Sequence, residues 1–287
     1  MASDGSTGPG YAPAVVGATL DALLATLCAR AGAGKPWLAG LSGLPGSGKS
    51  TLAHQLAVAA RARGVPTLVL GLDDFYLGHR ARQRLARRVH PLLATRGVPG
   101  THDPDLLEAV LDGLAGAGRR PIALPRFDKG RDTRLPRARW PRLATPPRLV
   151  LLEGWCVGVA ASPADADAPP LNALERREDG DGRWRAFVEA QLAGPYASLW
   201  SRLGMLVVLQ APGWHVVRAW RAGQERERLA RGAQAAFDGP ALARFLMHYE
   251  RLGRRALATL PAQAEAVLAL RRDRSVRRLL RMPRNAC

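Results

Sequence analysis

Lysine is almost missing from this chain of 287 residues: of 42 basic side chains only Lys35, Lys49 and Lys129 are lysine, and the rest are arginine. Cysteine is scarce too. Cys28, Cys156 and Cys287 form no paired spacing and no C-x-x-C, which argues against a disulfide framework and against a cysteine-based zinc site. That usage fits a reducing, cytoplasmic setting. No apolar run approaches the ~18 residues of a membrane span, and the opening MASDGSTGPGYAPA lacks the basic and apolar regions of a secretory signal. No membrane partner is therefore expected. The formal net charge of +18 would suit a polyanion, but the arginines are spread over the whole length and no basic motif interleaved with aromatics occurs. Nucleic acid is accordingly not expected as the main partner, and a nucleic-acid-stimulated ATPase stands as the rival reading from a different functional class.

What is present is a phosphate-binding sequence. GLPGSGKS, Gly43 to Ser50, matches G-x-x-x-x-G-K-[ST] and lies between an apolar run, Trp37 to Leu41, and a helical pattern starting near Lys49. In that context Gly43, Gly46, Ser47 and Gly48 form a nest of inward N–H groups at a helix N-terminus, which favours anions. Lys49 reaches the β and γ phosphates as a point charge, and Ser50, followed by Thr51, offers a hydroxyl to Mg²⁺. ATP and Mg²⁺ are the expected cofactors.

Apolar runs alternate with helical patterns, the signature of an α/β fold with a doubly wound, mainly parallel sheet covered by helices on both faces. Helices are expected over Ala18 to Arg30, after the phosphate loop as far as Gly64, from Asp103 through Leu114, around Trp184 to Leu192, and over Val216 to Arg231 and Pro240 to Leu260. Strands are expected at Trp37 to Leu41, Thr67 to Leu72, Ile122 to Leu124, Leu149 to Leu152, Leu206 to Leu209 and Ala266 to Leu270. An arginine-rich tail follows. Ala161 to Pro170 reads as a loop, and Arg126 to Pro147 has too few periodic apolar residues for a buried element. The expected division is a flexible stretch over residues 1–16 and a single domain over 17–287, with an insertion near 77–147 and a helical lid near 212–232.

Ligands of open parallel sheets bind beyond the carboxyl ends of the strands. Two acidic sites are delivered there. Asp73 and Asp74 follow the second strand, and Asp73 is the candidate base for an alcohol acceptor, because a loose phosphoryl-transfer transition state needs little more than a carboxylate in reach of the hydroxyl. Glu153 closes LVLLE and is the candidate metal ligand beside Ser50. Arg96, Arg126 and Lys129 supply cations in flanking segments and favour an anionic acceptor, since arginine holds a carboxylate well. In the expected lid, Arg218 and Arg221 share a helix face, and either can neutralise charge on the migrating phosphoryl group. Each has a plain structural alternative: Asp103 as an N-cap before Pro104, His102 as a buried hydrogen-bonder, Arg126 as a solvated side chain.

Taken in order, GLPGSGKST, DDFYL, RGVPGTHD, PRFDK, LLEGW and WRAGQE resemble the phosphoribulokinase, uridine kinase and pantothenate kinase group of P-loop kinases, and within it most resemble the D-glycerate 3-kinase family, from about Trp37 to Arg274. R-G-x-P-G-T-H-D with P-x-F-D-K carries most of the specificity. The resemblance implies a P-loop kinase that transfers phosphate from ATP to the hydroxyl of a small molecule, D-glycerate first, with pantothenate, a nucleoside or a sugar phosphate as alternatives. It implies Asp73 as base and Glu153 at the metal. It further implies Asp74, Tyr76, Arg96, His102, Asp103, Phe127, Asp128 and Lys129 around the acceptor, Arg218, Arg221, Gln224 and Glu225 in the lid, and Arg274 near the adenine. One departure is the short spacing between Asp128-Lys129 and Asp132-Thr133-Arg134.

Overall fold

The computed structural model describes residues 13–32, 34–116, 121–230 and 239–281, with the side chains of 13–19, 228 and 281 left aside. Six strands form one sheet: β1 Trp37–Gly43, β2 Thr67–Gly71, β3 Leu149–Gly154, β4 Met205–Gln210, β5 Ala266–Leu270 and β6 Val276–Arg281. Their order is β6-β5-β4-β1-β3-β2. All neighbours are parallel except β6, which runs antiparallel along β5. This last strand is a correction to the expected tail after Leu270. Arg274, with a left-handed φ of 72°, sits in the turn that makes the reversal.

The strands read as continuous apolar runs because both sheet faces are covered. Along β3, Leu149 and Leu151 enter one core while Val150 and Leu152 enter the other, and β4 divides in the same way. On the first face lie α1 (Pro13–Arg30) and α2 (Lys49–Ala62), whose Leu52, Leu56 and Ala60 recur at four-residue spacing on the buried side. The opposite face is covered by α4 (Pro104–Ala115), through Leu107, Val110, Leu111 and Leu114, and by α5 (Arg183–Gln191). Between β2 and α4 runs the basic helix α3 (His79–Arg88). The chain continues through α6 (Val217–Ala230) and α7 (Gly239–Gln263), and Arg231 of the expected lid helix lies outside the described residues. So do residues 1–12 of the expected flexible start.

Sequence and structure differ in four further places. The second strand stops at Gly71, and Asp73 and Asp74 ride on a 3-10 turn, Leu72–Phe75, anchored by its two buried apolar ends. Ile122–Ala123 pairs with Arg142–Leu143 in a separate two-stranded ribbon instead of joining the sheet. The polar segment after Arg126 holds a second ribbon, Phe127–Asp128 against Thr133–Arg134, and Phe127 is buried. Within the expected loop at Ala161 to Pro170, Pro163–Asp167 forms a short helix.

Many arginines that composition would assign to solvent instead tie elements together. From α7, Arg251 Nε donates to Glu175 at 3.0 Å and Arg255 donates to Asp165 and Glu189 at 2.8 and 2.9 Å. These bonds fix the chain between β3 and α5 against α7, and α7 in turn contributes to the cleft described next.

Candidate active site

The carboxyl ends of β1, β3 and β2 lie level: Glu153 is in register with Leu41 on one side and Gly71 on the other. Two residues beyond those partners come Gly43 and Asp73. The phosphate loop and both acids therefore meet at one rim of the sheet. There a cleft of about 320 Å³ is lined by Pro45, Gly46, Lys49 and Ser50 from the loop, Asp73 and Glu153 from the strand ends, Arg96 and Lys129 from the chain between β2 and β3, and Arg221 from α6.

The loop backbone takes its shape from glycine. Gly46 and Gly48 have φ of 87° and 89°, a region costly to other residues. A Cβ on Gly46 would stand 2.7 Å from Trp220 Cβ, so the cradle also has no room for one. Gly48 is the N-cap of α2 with no side-chain cap bond, which leaves the first helical N–H groups facing an anion site. Gly43 abuts the buried Ser47, and Thr51 lies exposed on the first turn of α2.

Ser50 Oγ donates to Glu153 Oε1 at 2.7 Å. A hydroxyl and a carboxylate at the mouth of a phosphate cradle are the hard oxygen donors that Mg²⁺ takes, together with phosphate oxygens. The donor set thus fits the ion that the motif implies.

Asp73 Oδ2 accepts from Lys129 Nζ at 2.6 Å. Burial alone would push this carboxyl up, but the charges of Lys129 and Lys49 and the Lys129 hydrogen bond outweigh it and hold Asp73 well below the usual carboxylate range. Asp73 is ionised at any ordinary pH. Beneath it Tyr76 stacks on His102 with ring centroids 4.2 Å apart, and Phe127 meets the edge of Tyr76 at 5.5 Å.

Several residues expected around the acceptor do not line the cleft; their side chains are committed to the walls behind it. Asp74 accepts from Arg126 at 2.8 Å and from the Phe127 amide at 3.1 Å, which docks the second ribbon on the Asp73 turn. His102 bonds Tyr196 Oη through Nδ1 at 2.7 Å, and burial pushes it down to about 3, so it stays neutral. Asp103 caps α4 at the Leu106 amide and pairs with Arg134 at 3.0 Å. Asp128 accepts from the amides of Gly130 and Arg131 and makes the turn that presents Lys129. Phe127 packs beneath Arg82 and Arg96.

The run RGVPGTHD is thus mostly scaffold, with Arg96 as its member in the cleft. Gly97, at φ 151°, has the Tyr249 ring where a Cβ would be. In return Tyr249 Oη donates to the Arg96 carbonyl at 3.1 Å and Trp155 Nε1 to the Gly97 carbonyl at 3.0 Å. In α6, Arg221 is in the wall with its guanidinium on Gln224 and Glu225 at 2.6 and 2.8 Å, while Arg218 is exposed outside it. Arg274 is one contact removed, 3.9 Å from Glu227 of the wall.

Among known proteins, the uncharacterized kinase mug58 of Schizosaccharomyces pombe is 32% identical over 226 residues, 75% of this chain and 79% of that one. Chloroplastic D-glycerate 3-kinase of Arabidopsis thaliana is 30% identical over 168 residues, 54% of this chain and 37% of that one. The chain belongs to the same kinase family as mug58, and its homologues include D-glycerate 3-kinase. It is an ATP-dependent kinase. A solved D-glycerate 3-kinase from Cryptococcus neoformans shares the fold with a TM-score of 0.74 at 21% identity, over 94% of this chain and all of that one. No family model matches the sequence.

Against this family background the sequence reading passed over four wall residues: Pro45, Glu227, Phe245 and Tyr249. Phe245 and Tyr249 stand one turn apart on α7 and fall on its apolar stripe, so periodicity assigns them to the core. Trp155 is packed at 3% exposure and also reaches the cleft.

Proposed function

We propose that the chain phosphorylates the 3-hydroxyl of D-glycerate, with Mg²⁺-ATP as donor, in the cytoplasm. The observation that carries this reading is the composition of one cleft. It joins a phosphate cradle with Lys49, a hydroxyl–carboxylate pair for a divalent ion, an ionised aspartate, and two cations, Arg96 and Lys129, on the acceptor side. A short hydroxy acid has the size and charge for that side.

Lys49 and the amides of the phosphate loop hold the terminal phosphates. Ser50 and Glu153 hold Mg²⁺, which supplies charge neutralisation on the phosphate oxygens. Arg96 and Lys129 orient the acceptor through its carboxylate, so that its hydroxyl faces both Asp73 and the donor. Asp73 takes the hydroxyl proton. Arg221 moves with α6 to neutralise charge and to exclude water as that helix closes over the nucleotide. Arg274, through Glu227, supports the adenine end.

Release of ADP with a panel of acceptors tests the reading: D-glycerate, L-glycerate, pantothenate, uridine and ribulose 5-phosphate. D-Glycerate should give the highest kcat/KM. A higher value for pantothenate, uridine or the sugar phosphate assigns the chain to that acceptor instead. Stimulation of ATP hydrolysis by DNA or RNA, with none by a small acid, would replace the kinase reading.

A further inference from the structure

We propose that Lys129 is a latch on the catalytic carboxylate, closed in the free protein and opened by the acid group of the acceptor. The inference rests on the reading of Asp73 as proton acceptor and adds how access to that group is controlled.

Lys129 is carried at the tip of a stiff ribbon. In the same turn Asp132 pairs with Arg82 and Arg96, and Arg82 is fully buried, donating also to the Ala94 carbonyl at 3.1 Å and to the Leu77 carbonyl. At its tip the Asp128 carboxylate fixes the turn. The backbone that bears Lys129 is therefore held, while its side chain is half exposed and ends on Asp73. In this closed arrangement the ammonium occupies an oxygen of the base and lowers its proton affinity.

The other cation on that wall, Arg96, is fixed by Asp132 and by the Tyr249 hydroxyl at its carbonyl. A ligand carboxylate drawn to Arg96 competes with Asp73 for the Lys129 ammonium, since both are carboxylates within its reach. Water and neutral alcohols bring no charge and leave the pair intact. The acid group thus serves twice, as a handle for binding and as the agent that frees the base.

The chemistry controlled is the same for both nucleophiles. The oxygen of the acceptor hydroxyl, or of water, bonds to the γ-phosphorus. The bond from that phosphorus to the ADP oxygen breaks, its electron pair leaving on ADP, and the O–H proton passes to Asp73 and then to solvent. The latch withholds the base from water and so protects ATP while no acid is bound.

The test is Lys129→Met, which keeps length and removes charge. Without acceptor, its ATP hydrolysis should rise roughly tenfold over the parent, a fraction of what a positioned base contributes. Its use of glycerol relative to D-glycerate should rise as well, while kcat/KM for D-glycerate falls. Lys129→Arg, which can still pair with Asp73, should fall between the two, and adding Asp73→Asn to Lys129→Met should abolish the gain in hydrolysis. Acceptor-free hydrolysis in Lys129→Met at or below the parental rate, with only a raised KM for D-glycerate, would overturn the latch and leave Lys129 as a binding residue. If the gain survives in the double variant, Asp73 is not the base and the underlying reading fails separately. The hydrolysis assay contains no acceptor, so a wrong choice of acceptor cannot mimic either result.

Discussion

Replacing Asp73 with Asn removes a negative charge and a proton acceptor while keeping the side-chain volume. The loss in turnover should equal the contribution of a positioned base, about 10²- to 10⁴-fold, or roughly 3 to 5 kcal/mol at 1.36 kcal/mol per tenfold. The cost to folding is far smaller. The Asp73–Lys129 pair is 37% and 51% exposed, and pairs in that setting contribute about 1 kcal/mol or less. The phosphate loop does not depend on it, since the cradle is built by glycine backbone, Lys49 and Ser50. ADP release measured with D-glycerate, beside binding of a fluorescent ATP analogue, separates the two effects. Turnover should collapse while nucleotide affinity stays within about threefold, too small a change to be a lost phosphate contact. Turnover within about threefold of the parent would take Asp73 out of the mechanism, because no general base contributes so little.

Three other perturbations probe neighbouring parts of the site. Glu153→Gln keeps a partner for Ser50 but loses a charge, and should raise the Mg²⁺ concentration for half-maximal activity by about 10- to 100-fold, read from a metal titration at saturating ATP. Asp132→Asn tolerates the left-handed φ of 50° while releasing Arg82 and Arg96, so the KM of the acceptor should rise and that of ATP should not, measured in paired saturation curves. Stability should fall in acid: His102 is held at about 3 and His248 at about 4, both by burial, against about 6.5 in the unfolded chain. Below about 6.5 the unfolded state therefore binds more protons, and the full stability present above that pH is progressively lost as pH drops. Thermal melts from pH 8 to 4 should show this decline, and His102→Phe should flatten part of it.

The parts of the site legible in the sequence are those in which function is local. Gly43 to Ser50 needs only a strand before it and a helix after it, and Glu153 needs only the end of an apolar strand. Both are properties of a short window. The acceptor side was harder to read, because the residues that matter there are chosen by packing between distant segments. Asp74, His102, Asp103 and Asp128 carry groups able to touch a substrate, yet each is taken by a backbone amide or a partner brought in by the fold. Conversely, Phe245 and Tyr249 look like ordinary core residues until α7 is laid across the strand ends. Arginine misled in the same way: Arg82, in one of the most basic stretches of the chain, is completely buried and knits three loops together. The edge strand Val276–Arg281 was hidden by its three arginines, which suit an exposed sheet edge as well as a tail.

The most direct measurement is a ³¹P NMR spectrum of the protein with ATP, Mg²⁺ and D-glycerate labelled with ¹³C at C3. Transfer at this cleft requires a phosphomonoester signal coupled to that carbon, growing as ADP accumulates. ATP left intact, or converted only to ADP and inorganic phosphate, would contradict it.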